Sequence, residues 1–288
     1  MILVTGATGH LGGSVIRHLL KRVPADQISA LVRDEAKAIK LKEYGIAIRV
    51  GDYHHPASLS AAFRNVDKIL LVSTNDYNDR LSQHKNVIDA AAANGVGHLV
   101  YTGVSIKNPT ASVLHGHMKD HFLTEDYLKA SGMNYTFMRH NLYAEMIPFY
   151  LGNQVLEKGI VFPAGEGRIP FALRDEMGEA NANILTSRGH ENRSYNIANE
   201  TAWSFQDMAD ILSALAGKEV SYTSLGHEDY IDSLKAAGLP ELRIRAASLF
   251  SAAMRNGDFT LPGNELESLL GRKPTGLDTY LQRAYFGG

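Results

Sequence analysis

Short runs of aliphatic residues alternate with longer amphipathic segments through the first half of the chain. The segment after the first run carries its apolar residues at spacings of three and four, as in a helix with one buried face: Leu11, Val15, Ile16, Leu19 and Leu20. The alternation predicts strands over 2–5, 28–32, 47–50, 68–72, 98–102 and 135–138. Between them it predicts helices over 34–44, 56–63, 79–94 and 117–131.

Strands that alternate with helices of this length favour right-handed crossovers and a parallel sheet that helices cover on both faces. The predicted fold class is therefore α/β, with a Rossmann-type doubly wound parallel sheet. In such folds the ligand binds outside the carboxyl ends of the strands.

The alternation becomes irregular beyond about residue 139. The pattern there predicts a helix over 174–187, strands over 194–198 and 219–223, and otherwise mostly helix. We expect a larger domain and a smaller, mostly helical lobe, with a ligand bound between them. The predicted division is a larger domain of about 1–140, rejoined by about 183–198, and a lobe of 141–182 and 199–288.

The sequence VTGATGHLGG joins the first predicted strand to the first predicted helix. In such a turn the first glycine allows a tight bend, the second lets the backbone approach a pyrophosphate, and the third lets helix and strand pack closely. The helix N-terminus then offers unpaired N–H groups and a partial positive charge to the phosphates. We therefore expect the larger domain to bind a dinucleotide. The expected contacts are Gly6, Ala7, Thr8, Gly9, His10, Leu11 and Gly12.

The end of the second predicted strand indicates which dinucleotide binds, because a free ribose 2′-hydroxyl calls for an acid there and a 2′-phosphate calls for a cation. The strand ends in ALVRD, so that Arg33 precedes Asp34. Either Asp34 accepts from the ribose and Arg33 is solvated, or Asp34 caps the next helix and Arg33 binds the phosphate. We favour the second interpretation and expect NADP(H).

Composition excludes several classes of function. The 288 residues include 29 basic and 31 acidic ones, and no block of like charge suggests a nucleic-acid or membrane-surface partner. The absence of cysteine excludes disulfides, thiolate metal sites and cysteine nucleophiles. Since no apolar stretch approaches the roughly 20 residues of a membrane span, we expect a cytoplasmic protein, and the sequence leaves a homodimer open.

Several motifs along nearly the whole chain resemble the NmrA-like group of atypical short-chain dehydrogenases, in particular its bacterial quinone- and triphenylmethane-reducing members. The matching segments are TGATGHLGG, VRD at 32–34, GDY at 51–53, YTG at 101–103, LTEDYLKASGMNYTFMRHNLY at 123–143 and AWSFQDMADIL at 202–212. The more discriminating pair is His-x-x-Thr-Glu at 121–125 and Arg-x-Asn-x-Tyr at 139–143. The chain departs from the group at His10, where its relatives usually carry glutamine.

The resemblance implies that NADPH lies along the strand ends, with the glycine turn and Arg33 at its adenosine and phosphate end. The group's pattern places His121 and Asn141 near the nicotinamide ribose. The remaining cofactor contacts that it implies are Asp52, Ser73, Thr74, Thr102 and Gly103.

Ordinary short-chain dehydrogenases use a tyrosine acid with a lysine four residues later, and none of the 13 tyrosines here has a lysine at that offset. The resemblance places His121 where that lysine would stand. A carbonyl that accepts hydride usually needs a positioned acid, whereas a quinone or a triaryl cation does not, because the incoming charge is delocalised or neutralised. We therefore expect an NADPH-dependent reductase of quinones or triphenylmethane dyes. The alternative is a redox sensor that binds NADP(H) without turnover.

No residue is assigned with certainty as catalytic, and His121, Asn141 and Tyr143 are the candidates. Aromatic and apolar residues just beyond the larger domain are candidates for substrate contact, or alternatively for the core between the lobes: Tyr143, Met146, Phe149, Tyr150 and Phe162. The histidines at 115, 117 and 121 lack a matching carboxylate motif, so we expect no metal, and we interpret Gly-His-Met at 116–118 as a loop over the cofactor.

Overall fold

The computed structural model describes residues 1–287, which fold around a seven-stranded parallel sheet. Two further short strands pair in the lobe. The strands within this range are β1 (Ile2–Val4), β2 (Ile28–Val32), β3 (Ala47–Val50), β4 (Lys68–Val72), β5 (His98–Val104), β6 (Tyr135–His140), β7 (Ile160–Val161), β8 (Arg193–Ile197) and β9 (Tyr222–Thr223).

Helices cover the sheet and build the lobe, and those predicted over 56–63, 79–94, 117–131 and 174–187 lie within two residues of their predicted bounds. Those of the first half are α1 (His10–Leu19), α2 (Ile39–Glu43), α3 (Pro56–Ala62), α4 (Arg80–Ala93) and α5 (His115–Ala130). Those of the second half are α6 (Ile147–Leu151), α7 (Val155–Lys158), α8 (Arg174–Thr186), α9 (Phe205–Ala216), α10 (His227–Ala236), α11 (Glu241–Arg255), α12 (Glu265–Leu270) and α13 (Leu277–Phe286).

The large sheet runs in the order β3-β2-β1-β4-β5-β6-β8, with every neighbouring pair parallel. From β1 the strands are added on one side as far as β3 and then on the other side from β4 onward. A doubly wound sheet has a crevice at its strand ends where this order of addition switches, here between β1 and β4. This order confirms the predicted Rossmann-type α/β fold.

Alternate residues of each central strand supply two separate cores, because successive side chains point to opposite faces of a sheet. Val4 and Leu70 pack with Val15 of α1 on one face, together with residues of α8. Leu3 and Leu71 pack on the other face, against α3, α4 and α5. Because helices bury both faces of the sheet, the central strands appear in the sequence as continuous aliphatic runs.

The lobe has its own aromatic core, built around α9 and the β7–β9 pair. The Phe162 and Phe205 rings stack with centroids 4.7 Å apart. Helix α9 begins with a reciprocal capping box, in which Ser204 and Asp207 each accept the other's backbone N–H. The lobe thus has a packed core distinct from the two cores of the sheet.

Two predicted elements differ in detail from the structure. The segment 34–44 is not one helix, because Asp34 caps a 3₁₀ turn at Glu35–Ala38 that precedes α2. Of the strand predicted over 219–223, only Tyr222–Thr223 pairs. Helix α8 begins in the segment that we assigned to the lobe, yet it packs along α1, where Gly178 allows close approach to Ser14.

Candidate functional site

The glycine turn after β1 has two positions that only glycine fits. Gly6 has φ of +57°, and a Cβ there would lie 3.1 Å from Cβ of Val72. A Cβ on Gly12 would overlap the carbonyl oxygen of Gly6 and lie 3.0 Å from Cα of Ala7. The first and third glycines therefore serve the tight bend and the close packing that the spacing predicts.

Gly9 is the N-cap of α1 and has an ordinary extended backbone, with φ of −83° and ψ of 170°. A Cβ at this position would meet only the Gly6 carbonyl oxygen, at 3.1 Å. Because Gly9 lines an open cleft, its missing side chain leaves room in front of the first, unpaired N–H groups of the helix. The turn thus has the shape and polarity that a pyrophosphate requires.

This cleft of about 490 Å³ lies at the ends of β1, β2 and β4. It brings together seven of the residues that the sequence predicted to bind the cofactor: Gly6, Thr8, Gly9, Arg33, Asp52, Ser73 and Thr74. Ala7, Leu11 and Gly12 lie behind the turn and are buried, while His10 is exposed beside it.

The structure distinguishes the roles of Arg33 and Asp34. Asp34 Oδ1 accepts the backbone N–H of Ala36 at 2.9 Å and so caps the following turn. Arg33 is exposed on the cleft wall, and its guanidinium makes no hydrogen bond or salt bridge within residues 1–287. The cation faces the cleft, and the carboxylate is engaged by the backbone.

Tyr53 forms the floor of the cleft, a role that the sequence did not predict. Its hydroxyl donates to Thr5 Oγ1 at 2.5 Å and lies 3.2 Å from the Val72 carbonyl oxygen. Thr5 Oγ1 also accepts the Val72 N–H at 2.9 Å. Burial raises the pKa of the Tyr53 hydroxyl, which therefore stays protonated.

The loop after β4 is held from behind by α4. Arg80 Nε donates to the Thr74 carbonyl at 3.0 Å, and the Thr74 N–H donates to His84 Nε2 at 3.1 Å. Thr124 donates its hydroxyl proton to the Asp120 carbonyl, so His84 donates from Nδ1 to Thr124 Oγ1 at 2.9 Å. Burial, reinforced by the Arg80 charge, lowers the pKa of His84 to about 3, and the ring is a neutral Nδ1–H tautomer.

The helical pattern of α4 indicates that Arg80 and His84 are buried, although neither was among the predicted site residues. Arg80 and His84 share one helical face with Val87, Ile88 and Ala91, and all five are buried. Two polar residues on an otherwise apolar helical stripe need partners, since buried polar groups are hydrogen-bonded.

His121 lies behind the cleft rather than on its wall. It is buried, and its Nδ1 lies 2.8 Å from the hydroxyl of Tyr101, itself fully buried on β5. Burial, reinforced by the Arg80 charge, lowers the pKa of His121 well below its usual value. His121 is therefore neutral near pH 7 and does not act there as an imidazolium acid.

The two discriminating motifs are joined by side-chain pairing. Arg139 forms a bidentate ion pair with buried Glu125, with Nε 2.8 Å from Oε1. A Cβ on Gly103 would lie only 3.3 Å from that carboxylate.

Asn141 donates from its amide to the Phe259 carbonyl at 3.0 Å, which ties the end of β6 to the lobe. Thr102, also buried, accepts the Ser73 N–H at 3.0 Å.

The candidates for substrate contact do not form one surface. Tyr150 packs in the lobe core, with its ring centroid 5.3 Å from that of Phe162, and Phe149 is 65% exposed. Met146 and Tyr143 are half-buried. Tyr143 bridges through its backbone to Ala172, and burial raises the pKa of its hydroxyl.

The interpretation of residues 116–118 as a loop is wrong, because α5 begins at His115 and Gly-His-Met forms its first turn. His115 Nδ1 lies 3.0 Å from the Pro109 carbonyl oxygen, and the ring centroids of His117 and Tyr77 lie 5.4 Å apart.

In the described part of the chain, no three metal-binding side chains converge. No helix there is long and apolar enough to span a bilayer.

Asp175 joins α8 to the helix that follows the glycine turn. Its carboxylate accepts from Ser14 at 2.5 Å and Arg17 at 2.8 Å, and lies 3.1 Å from His18 Nε2. Burial acts to raise the pKa of Asp175, but these hydrogen bonds outweigh it and lower the pKa from 3.8 to about 2. The depressed pKa stabilises the fold above about pH 4, and this stabilisation is lost as the pH falls through about 2.

We expect Asp175→Asn to reduce the free energy of unfolding by about 1 kcal/mol near neutral pH, a value discounted because the side chain is 56% exposed. The difference from wild type should shrink as the pH falls from about 4 to about 2. Urea unfolding across this range measures it. Asp232→Asn, which removes an exposed pair with Lys235, is the control and should have little effect. A difference that persists at the lowest pH would contradict the linkage.

Comparison with known proteins gives consistent matches over the whole fold. The model of the NmrA-like family matches residues 1–281. The chain is 41% identical over 244 residues to quinone oxidoreductase 2 of Escherichia coli, which covers 84% of this chain and 83% of that protein.

Two solved structures share nearly the entire architecture. Triphenylmethane reductase of Citrobacter sp., complexed with NADP(H), matches with a TM-score of 0.91 and 36% identity, covering 99% of this chain and 100% of that one. An NADPH-dependent quinone oxidoreductase of Escherichia coli, complexed with NADPH, matches with a TM-score of 0.90 and 35% identity, again covering 99% and 100%.

Proposed function

This chain belongs to the NmrA-like family, and from that membership we propose that it is an NADPH-dependent reductase that transfers hydride to quinones or similar conjugated acceptors, such as triphenylmethane dyes. The observation that carries the proposal is the cleft over the glycine turn, where Arg33 faces the space and Asp34 is engaged as a cap. NADP(H) is the cofactor, and it supplies the hydride.

The residues that would hold the cofactor lie on three loops. The glycine turn would receive the pyrophosphate on the first N–H groups of α1. Arg33 would bind the 2′-phosphate, and the loop at Ser73 and Thr74 would line the central part of the cleft. Helix α4 binds both polar groups of the Thr74 backbone and so holds this loop from behind.

Three side chains near β5 and β6 in the described residues are poor proton donors to an acceptor: Tyr101, His121 and Tyr143. Burial raises the pKa of the Tyr143 hydroxyl and of the Tyr101 hydroxyl, so neither resembles an activated acid. His121 has a lowered pKa and carries no proton to give as an imidazolium. This inventory suits an acceptor that takes hydride without simultaneous protonation. The protein then orients the reactants and excludes water.

A screen of NADPH oxidation tests the proposal. The panel holds quinones, triphenylmethane dyes and azo dyes, and we expect steady turnover with at least one quinone. Tight NADP⁺ binding with no oxidation across the panel would instead favour a redox sensor. A small aromatic acceptor is the expected partner. A cytoplasmic location, a homodimer and the lack of a nucleic-acid partner stay predictions from the sequence.

We expect Tyr143→Phe to keep quinone reduction within about tenfold of wild type, below the usual effect of losing a general acid. The physical reason is that burial raises the pKa of the Tyr143 hydroxyl, which makes it a poor proton donor. Steady-state kinetics on one quinone measures the effect. A simple ketone is the control and should be a poor substrate for wild type, because its alkoxide product lacks a donor. A thousandfold fall in kcat, or rapid ketone reduction, would reveal an acid.

A further inference from the structure

Arg174, the first residue of α8, places a cation on the face of Tyr143. The central carbon of its guanidinium lies 4.4 Å from the centre of the Tyr143 ring, a cation–π distance. Arg174 is half-buried, and among the residues described its guanidinium makes no hydrogen bond and no salt bridge. Within residues 1–287, the guanidinium is therefore in contact with the Tyr143 ring and directly paired with no carboxylate.

Glu145 is an acidic residue beside Arg174, but its carboxylate binds the Arg174 backbone and not the guanidinium. Glu145 accepts the backbone N–H of Arg174 with both carboxylate oxygens, at 2.9 and 3.1 Å, and so caps the N-terminus of α8. The charges of Glu145 and Arg174 both affect the pKa of Tyr280. Burial raises this pKa to about 12, the Glu145 charge adds to the rise and the Arg174 charge opposes it. The charged and titratable groups around the guanidinium are therefore one capped carboxylate and two protonated phenols, Tyr143 and Tyr280.

The position of Arg174 relates it to the cofactor turn as well as to Tyr143. The carboxylate of the next residue, Asp175, accepts hydrogen bonds from Ser14 and Arg17 of α1, the helix that follows the glycine turn. Tyr143 follows the carboxyl end of β6 and packs against the same apolar cluster as Ala7 of that turn. Arg174 thus lies between α1, the helix that follows the glycine turn, and Tyr143, the residue that the sequence proposes as a substrate contact.

The charge of the acceptor changes in opposite ways for the two classes of substrate. Hydride transfer oxidises NADPH to NADP⁺ and reduces a neutral quinone by two electrons to the hydroquinone monoanion, which then takes a proton from water. With a cationic triarylmethane dye, the hydride bonds to the central carbon and gives a neutral product. A fixed cation beside the acceptor stabilises the first transition state and disfavours binding of the second substrate.

We propose that Arg174 sets the charge preference of the acceptor site, favouring quinones, whose reduced form is anionic, over cationic triarylmethane dyes. The inference rests on the proposed reductase function and deepens it. Arg174 acts by placing one positive charge against the aromatic wall at Tyr143, in a partly desolvated position where a charge interacts more strongly than it does in water.

The test compares a neutral quinone with a cationic triphenylmethane dye in wild type and Arg174→Gln. We expect kcat/KM for the quinone to fall at least about tenfold in the variant, since charge-assisted contacts are the strong ones. For the dye, kcat/KM should rise or stay unchanged. Arg174→Lys should keep most of the preference. Arg188→Gln, which removes an exposed arginine just beyond the other end of α8, is the control and should change neither substrate.

A binding measurement separates the charge effect from turnover. Calorimetry with an anionic hydroxynaphthoquinone in the presence of NADP⁺ should show about tenfold weaker binding to Arg174→Gln than to wild type. If the variant does not fold, wild type alone still tests the idea. It should use a sulfonated quinone more efficiently than the same quinone bearing a trimethylammonium group.

The outcomes are distinct. An equal loss on quinone and dye in a folded variant, unchanged binding of the anion, or a wild-type preference for the trimethylammonium quinone would overturn the role of Arg174. Failure of wild type to oxidise NADPH with any acceptor would overturn the proposed reductase function instead, while the binding measurement would still report on Arg174.

Discussion

Gly9→Val is expected to abolish NADPH binding while leaving the fold intact. The backbone of Gly9 is in an extended conformation that any residue adopts, so valine introduces no strain of the kind it would at Gly6. Its side chain would instead occupy the space in front of the α1 N-terminus, and the pyrophosphate would lose its charge-assisted contacts to the backbone. Losing two such contacts corresponds to roughly a hundredfold or more in affinity.

Neighbouring glycines supply matched controls for this experiment. A Cβ on Gly13 would lie 3.6 Å from the Ala7 carbonyl oxygen, an ordinary contact, so Gly13→Ala should bind NADPH as wild type does. Gly12→Ala should instead lower the melting temperature, because its Cβ would overlap the Gly6 carbonyl. Calorimetric titration with NADPH, with circular dichroism to verify folding, measures both effects. A folded Gly9→Val protein with wild-type affinity would show that the pyrophosphate does not bind at this turn.

The parts of the site that could be predicted from the sequence are those set by local structure. Gly6 and Gly12 are required by a turn whose two sides are only a few residues apart, and the strand-turn-helix context is visible in the hydrophobic pattern. Arg33 is placed by the end of a single strand. Local spacing was therefore enough to predict Gly6 and Arg33 on the cleft, and Gly12 in the close packing behind the turn.

The parts that could not be predicted depend on pairing between distant segments. Tyr53 reaches Thr5 across 48 positions, and Asn141 reaches the Phe259 carbonyl across 118. Periodicity reports which face of an element is buried but not which element covers it. The same limit applies to Arg174, which lies over Tyr143 where the segment at Ala172 bridges to Tyr143, and no motif indicates this pairing.

The sequence left open whether Arg33 or Asp34 contacts the adenosine ribose of the cofactor, and the surroundings of the two side chains favour Arg33. Both residues follow β2, and either could reach the adenosine ribose. The carboxylate of Asp34 already accepts the Ala36 N–H, and binding a ribose hydroxyl would compete with that cap. Arg33 faces the cleft near enough to Tyr53 for its charge to lower the pKa of that hydroxyl, although burial dominates and raises it.

Arg33→Ala is therefore expected to weaken NADPH binding by about 10- to 150-fold, the equivalent of roughly 1.5–3 kcal/mol for a charge-assisted contact to the 2′-phosphate. NADH, which lacks that phosphate, should bind the variant as it binds wild type. Arg33→Lys should lie between the two, because an ammonium keeps the charge and loses the planar fork.

Calorimetric titrations with both cofactors separate the 2′-phosphate contact from a general effect of charge or folding. Arg64→Ala removes another exposed arginine that does not line the cleft, and it should leave both affinities unchanged. If Arg33→Ala weakens NADH and NADPH equally, Arg33 supports the cleft wall and not the phosphate. A wild-type preference for NADH would assign the ribose contact to Asp34, and its cap on Ala36 would then have to open when the cofactor binds.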